Sequence, residues 1–281
     1  KEDDDGYGDF GQTDVEDWED IVAVSAGYYD TIGLKSDGTV VSTTVKEDDD
    51  GYGDFGQTDV EDWEDIVAVS AGGSVHTVGL KSDGTVVSTK VENGYDYGQT
   101  NVEDWEDIVA VSAGGDYTVG LKSDGTVVSA GKNDYGQTDV DNWEDIVAVS
   151  AGGNHTVGLK SDGTVVSAGK NDYGQTDVDN WEDIVTVSAG YFHTVGLKSD
   201  GTVVSTDIKE DDDGYGDFGQ TDVEDWEDIV AVSAGYYDTI GLKSDGTVVS
   251  TEIKEDDNDY GQTAVEDWTD IVNKGYKYLS R

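Results

Sequence analysis

The sequence contains no cysteine and no methionine. Without cysteine, neither a disulfide nor a thiolate zinc site can staple the fold, and redox logic assigns no compartment. Without methionine, residue 1 is not a start residue, so the chain is expected to be a processed product or a segment of something longer. Basic residues are scarce: 16 Lys and Arg stand against 64 Asp and Glu, a net charge of -48. Such a charge repels nucleic-acid phosphates and anionic membrane surfaces, which argues against both as partners. No apolar run approaches the roughly 20 residues that span a bilayer, so no membrane insertion is expected. Catalytic motifs are missing too: there is no Gly-x-Ser-x-Gly elbow, no phosphate loop and no His pair at metal-ligand spacing. The chain is therefore expected not to be an enzyme.

What is present must tolerate its own charge. Self-repulsion of this size destabilises a compact state unless salt or bound cations screen it, so a salty or cation-rich medium is expected, which an extracellular or cell-surface setting or a halophilic host would each supply. Hydrophobic residues make up 35% of the chain. That is thin, but sufficient when one short motif recurs and stacks on itself.

It does recur. Trp18, Trp63, Trp105, Trp143, Trp181, Trp226 and Trp268 are spaced by 45, 42, 38, 38, 45 and 42 residues, and seven Gly-Gln pairs march with them. Within the unit that starts at Trp143, three short runs alternate with period two: Ile146 to Ala151, His155 to Lys160 and Thr164 to Ser167. Asp162-Gly163 between the second and third runs is a two-residue hairpin signal. Short strands in units of about 40 residues, with no helical period, suit a propeller better than a solenoid. The first run, rich in Ala, Ser and Val, suits an inner strand, and the single Trp is expected to pack between neighbouring blades.

The pattern SAGxxHTVGLKSDGTVVSxG followed by GQ resembles the regulator-of-chromosome-condensation repeat, in the bacterial form also seen in propeller-type β-lactamase inhibitor proteins. The resemblance extends over essentially the whole chain and implies an all-β fold, one β-propeller domain over residues 1–281. Six units carry the full body, while residues 1–17 and Asp270 to Arg281 supply partial units. A seven-bladed ring whose last blade is closed by both termini is expected, with six blades as the alternative.

Three sets of residues stand out as candidate sites. His76, His155 and His193 occupy equivalent places, filled elsewhere by Asp30, Tyr117 and Asp238, and are read as structural hydrogen-bonders. Three acidic copies, Asp3, Asp5, Asp9; Asp48, Asp50, Asp54; and Asp211, Asp213, Asp217, alternate carboxylates around a Gly in the manner of an oxygen cage for Ca²⁺. They are not EF-hand loops, since Lys1, Lys46 and Lys209 stand where the first Asp belongs, and the competing reading is a solvated acidic tip. Finally, the loop after each SAG varies while the strands around it barely do. It presents Tyr28-Tyr29, Tyr191-Phe192 and Tyr236-Tyr237 in three units. Aromatic pairs on one rim suit a recognition surface, or they cover the ends of inter-blade crevices.

These observations point to a non-catalytic extracellular module, adhesin- or inhibitor-like, that binds a protein partner through Tyr28, Tyr29, Tyr191, Phe192, Tyr236 and Tyr237. The alternative is a cation-stabilised subunit of a surface layer, appendage or filament. Regulation of a small GTPase or binding to chromatin rests on fold analogy alone, and the charge opposes chromatin.

Overall fold

A computed structural model describes residues 11–45, 53, 55–73, 75–91, 94–209, 217–253, 262–265, 267–269 and 271. Among these residues the chain forms six antiparallel sheets, each of three consecutive strands. The first strands are β1 (Ile21–Ala26), β4 (Ile66–Ala71), β7 (Ile108–Ala113), β10 (Ile146–Ala151), β13 (Ile184–Ala189) and β16 (Ile229–Ala234). The second strands are β2 (Thr31–Lys35), β5 (Thr77–Lys81), β8 (Tyr117–Lys122), β11 (His155–Lys160), β14 (Thr194–Lys198) and β17 (Thr239–Lys243). The third strands are β3 (Val40–Ser42), β6 (Val86–Ser88), β9 (Val127–Gly131), β12 (Val165–Gly169), β15 (Val203–Ser205) and β18 (Val248–Ser250). Six blades is the count of the six-bladed alternative. Of the residues expected to complete a seventh, 1–17 and 270–281, positions 1–10, 270 and 272–281 lie outside the described set.

Two compact units divide the chain: Lys1–Asn133 with Val140–Asn142, holding blades 1 to 3, and Asp134–Asp139 with Trp143–Arg281, holding blades 4 to 6. Within each unit neighbouring blades share a core. Ile32, Leu34 and Val40 of blade 1 pack on Val60, Ile66 and Ala71 of blade 2, with Trp63 against them. In the other unit Val157, Leu159 and Val165 of blade 4 meet Val178, Ile184, Val187 and Ala189 of blade 5, with Trp181 alongside. The Trp thus sits between blades, as its large apolar area predicts. Its ring also fixes a glycine. A Cβ on Gly158 would stand 2.7 Å from Trp143 Cζ3, and Gly79, Gly120, Gly196 and Gly241 face their own Trp in the same way. The Gly in each TVGLK or TIGLK is therefore the space into which an indole settles.

The hairpin between second and third strands is one residue longer than the Asp-Gly pair suggests. Gly163 N–H donates to the Lys160 carbonyl and Lys160 N–H to the Thr164 carbonyl, so the loop is Ser161-Asp162-Gly163. Gly163, at φ +85°, takes the left-handed position that ends such a three-residue loop. The Asp162 carboxylate accepts from both the N–H and the hydroxyl of Thr164, which holds its pKa below the ordinary value. Each first strand also carries a bulge after its Ile, so that Ile146 faces Lys160 while Ala148 faces Leu159. The skipped residue is an exposed Val in all six blades: Val22, Val67, Val109, Val147, Val185 and Val230.

Candidate interaction site

The Gly-Gln pair organises the loops at one end of each blade. Gln175 is buried, its side-chain oxygen accepts the Tyr173 N–H, and its carbonyl accepts the Thr194 hydroxyl. Gln99, Gln137 and Gln220 repeat both bonds with Tyr97 and Thr118, Tyr135 and Thr156, and Phe218 and Thr239. This places an aromatic ring two residues before every one of these glutamines. A buried glutamine held through both its side-chain oxygen and its backbone carbonyl is an anchor for that ring, even where, as at Gln137, the side-chain nitrogen has no partner.

The histidines extend the same network from blade to blade. His76 Nε2 lies 3.0 Å from Thr118 Oγ1, His155 Nε2 2.9 Å from Thr194 Oγ1, and His193 Nε2 2.8 Å from Thr239 Oγ1. Each of these hydroxyls already donates to a Gln carbonyl. It must accept from the ring, so Nε2 carries the proton in all three. Burial pushes His76 and His155 down to about 4 and His193 to about 3. They are neutral structural bridges, which is the role their placement suggests in the sequence. Asp30 breaks the pattern. It is buried, its Oδ2 and the Thr77 Oγ1 of the next blade both lack a partner, and burial pushes its pKa up to about 7. A carboxylate is shorter than an imidazole and does not bridge the gap.

The aromatic loops fall in both units. In the first, Tyr28 is 53% exposed and meets Tyr29 edge to face at 4.6 Å. In the second, the pairs of blades 5 and 6 form one cluster. Tyr191 stacks on Tyr236 at 4.1 Å, and Tyr237 lies 4.3 Å from both Tyr236 and Phe218. Phe192 is only 6% exposed and sits beneath, 5.0 Å from Tyr173 and 5.3 Å from Tyr236. It supports the cluster, and the tyrosines present it. Burial, with Tyr191 and Tyr237 beside it, raises the Tyr236 hydroxyl above the usual phenol range. The Tyr236 hydroxyl is therefore a neutral hydrogen-bonding group at any physiological pH.

Tyr173 and Phe218 were not singled out in the sequence, yet they complete this cluster. They come from the stretch before Gly-Gln, so the rings before Gly-Gln and the loops after SAG meet here. The signal was available: a Tyr or Phe precedes every Gly-Gln. Next to the cluster lies a cleft of about 240 Å³ lined by Asn154, Lys170, Tyr173, Tyr191, Phe192 and Tyr236. Lys170 Nζ hangs 5.2 Å over the Tyr135 ring and 5.3 Å over the Tyr173 ring, with Asp172 at 3.3 Å. The cleft therefore offers ring faces below and an ammonium, an amide and phenols at its rim. It can take an apolar or aromatic side chain together with a hydrogen-bonding group.

Of the acidic candidates, Asp3, Asp5, Asp9, Asp48, Asp50, Asp54, Asp211 and Asp213 lie outside the described residues. Asp217 is described, and its carboxylate accepts the Gly219 N–H at 2.9 Å. Among the described residues no three His, Cys, Asp or Glu gather as a metal site. No helix among them is long and apolar enough to cross a membrane.

Among the described residues, six three-stranded antiparallel sheets in chain order, with neighbouring blades inside each unit sharing a core, define a β-propeller fold. Residues 108–137, 146–175 and 184–206 match the Regulator of chromosome condensation (RCC1) repeat. Blades 3, 4 and 5 thus carry the RCC1 repeat, and the fold is that of an RCC1-type β-propeller. Prp20p from Saccharomyces cerevisiae, whose structure accompanies its binding properties to Gsp1p and histones, is similar at 18% identity and a TM-score of 0.59. That match covers 82% of this chain and 71% of Prp20p. The CRINKLY WD40 ectodomain of the receptor kinase ACR4 from Arabidopsis thaliana is similar at 21% identity and a TM-score of 0.60, over 84% of this chain and 82% of that one. The human protein WBSCR16 matches at 16% identity and a TM-score of 0.58, over 82% and 75% of the two chains. At these identities the likeness is one of fold. No curated protein sequence matches the chain.

Proposed function

We propose that this protein is a non-catalytic, extracellular or cell-surface interaction module, adhesin- or inhibitor-like, that binds a protein through the aromatic cluster of blades 5 and 6. The observation that carries this reading is the cluster itself. In a chain whose strands are near-copies, Tyr191, Tyr236 and Tyr237 are brought together by loops that differ from unit to unit. Rigid aromatic rings bury much area at small entropic cost, which is why they concentrate at interaction hot spots. Phe192 and Phe218 below hold them in place, so little ordering remains for the moment of binding. That Prp20p binds Gsp1p and histones supports a protein as partner for this fold. The net charge of -48 supports an environment rich in salt and disfavours phosphate-bearing partners.

The test is a binding isotherm with a partner isolated from the native medium, for the unaltered chain and for Tyr191→Ala/Tyr236→Ala. Loss of two anchor rings is expected to weaken binding at least about tenfold, with the melting temperature moving by only a few degrees. Unchanged affinity in the double variant would overturn the assignment of the surface.

A further inference from the structure

The crevice between blades 1 and 2, both in the first compact unit, departs from its sister crevices at three oxygens. Elsewhere the first amide after SAG donates to the SAG Gly carbonyl of the next blade: Gly73 to Gly114, Gly153 to Gly190 and Tyr191 to Gly235. The Tyr28 amide goes instead to the Gly73 carbonyl, one residue further on, so the Gly72 carbonyl does not receive it. In sequence the loop after SAG is one residue longer in blade 2, at 73–75, than Tyr28-Tyr29 or Gly115-Asp116, and the contact slips by one. Thr77 departs as well. Thr31, Thr118, Thr156, Thr194 and Thr239 each donate their hydroxyl to a Gln carbonyl at 2.7 or 2.8 Å. The Thr77 hydroxyl is fully buried and has no partner.

The third oxygen belongs to Asp30, which is 1% exposed and stands where His76, one blade on, reaches Thr118. Its Oδ2 has no partner. Its Oδ1 and the Gly72 carbonyl come together beside Gly27, where a Cβ would stand 2.5 Å from the one and 3.1 Å from the other. The crevice thus holds a carboxylate, a hydroxyl and a carbonyl, each without the bond its counterparts make. Burying a carboxylate is costly unless something positive pairs with it. A water brings two protons and no charge, whereas a cation answers every oxygen and cancels the charge. Ca²⁺ collects roughly six to eight oxygens and is held tightly only by several carboxylates. One carboxylate matches a single positive charge.

We infer that this crevice binds a monovalent alkali cation, held by the Asp30 carboxylate, the Thr77 hydroxyl and the Gly72 carbonyl. The ion does for blades 1 and 2 what the imidazole of His76 does for blades 2 and 3. The site is separate from the acidic stretches before Gly-Gln and from the aromatic cluster. A net charge of -48 concentrates cations around the chain, which favours occupancy. Where every cation is too large to enter, a proton takes the place of the ion, in keeping with a pKa that burial pushes up to about 7. Above that pH protons are scarce, and the contribution of the ion is greatest.

The test is urea unfolding of the full chain at pH 8 and constant ionic strength, with sodium chloride progressively replacing choline chloride. Asp30→Asn, Thr77→Val and Asp59→Asn are measured beside the unaltered protein, and circular dichroism reports that each folds. Thr77→Val keeps shape and charge but removes one oxygen. Asp59→Asn removes an exposed charge where blade 3 carries Asn101, and serves as the control for net charge. A single bound ion raises the folding constant about tenfold for each tenfold increase of sodium above its Kd. The folding constant of the unaltered chain relative to Asp30→Asn is expected to rise in this way. In choline Asp30→Asn is the more stable of the two, and sodium narrows the gap. Relative to Asp59→Asn the constant should stay level, and Thr77→Val should move the rise to higher sodium. A ratio to Asp30→Asn that sodium does not change overturns the inference and leaves a proton or a water as the occupant. So does an equal loss of sodium dependence in Asp59→Asn, the mark of general screening.

Discussion

Asp30 offers a sharp test of the inter-blade network, because the molecule contains its own controls. Where blades 2, 4 and 5 have a His that bridges to the next blade's Thr, blade 1 has a buried carboxylate whose Oδ2 has no partner, and the Thr77 hydroxyl is left without one as well. Burial raises the Asp30 pKa from 3.8 to about 7. The native state therefore holds a proton that the unfolded chain releases near its ordinary pKa. Stability is intact below about pH 4, declines as pH rises towards 7 and is lost in full above it. At 1.36 kcal/mol per pKa unit the loss is about 4 kcal/mol by pH 8. Asp30→Asn keeps the shape and cannot ionise. Urea unfolding of both proteins from pH 4 to 8, at constant ionic strength, isolates this one group from the other carboxylates and the histidines. The two stability curves should run together near pH 4 and diverge towards about 4 kcal/mol in favour of the variant at pH 8. A difference independent of pH would show that the carboxylate is solvated, and the reasoning from burial would fail. The double change Asp30→His/Ile32→Val should do at least as well at pH 8, since it restores the bridge to Thr77. Both Asp blades carry Ile two residues on, where the His blades carry Val. The bulkier Ile32 and Ile240 lie on the same face of the strand as the shorter Asp and fill part of the missing volume.

Two further outcomes follow from the same packing. Gly158→Ala, whose Cβ would stand 2.7 Å from the Trp143 ring, should lower stability by about 1–3 kcal/mol in chemical denaturation, whereas Gly94→Ala, with open space around it, should show only the smaller backbone cost of its positive φ. His155, depressed to about 4 by burial, contributes stability that is full above pH 6.5 and lost as pH falls towards 4, worth about 3 kcal/mol. His155→Gln should flatten that part of the pH–stability profile, and an unchanged slope between pH 6.5 and 4 would contradict the buried neutral ring.

The strands were legible in the sequence because a period of two, repeated six times, leaves little choice. The Trp placement followed from area alone. The Ser-Asp-Gly loop is one residue longer than its Asp-Gly pair indicates, because Asp-Gly serves both two- and three-residue hairpins and the choice depends on which residue's N–H closes the turn. The histidines were read as structural, but their partners were invisible, since Thr194 lies 39 residues beyond His155. The aromatic cluster was half seen. Tyr191, Phe192, Tyr236 and Tyr237 stood out because they vary. Tyr173 and Phe218 did not, because an aromatic before Gly-Gln is constant along the chain, and constancy in a repeat reads as scaffold.

The central claim is that copied strands form the scaffold while the loops of blades 5 and 6 make the contact. Hydrogen exchange on the partner-bound protein tests it most directly. Slowed exchange is predicted at the amides of residues 190–193 and 235–238, with the strands of blades 2 to 4 unchanged. Protection confined to the third strands, or to the loops of blades 2 and 3, would contradict it.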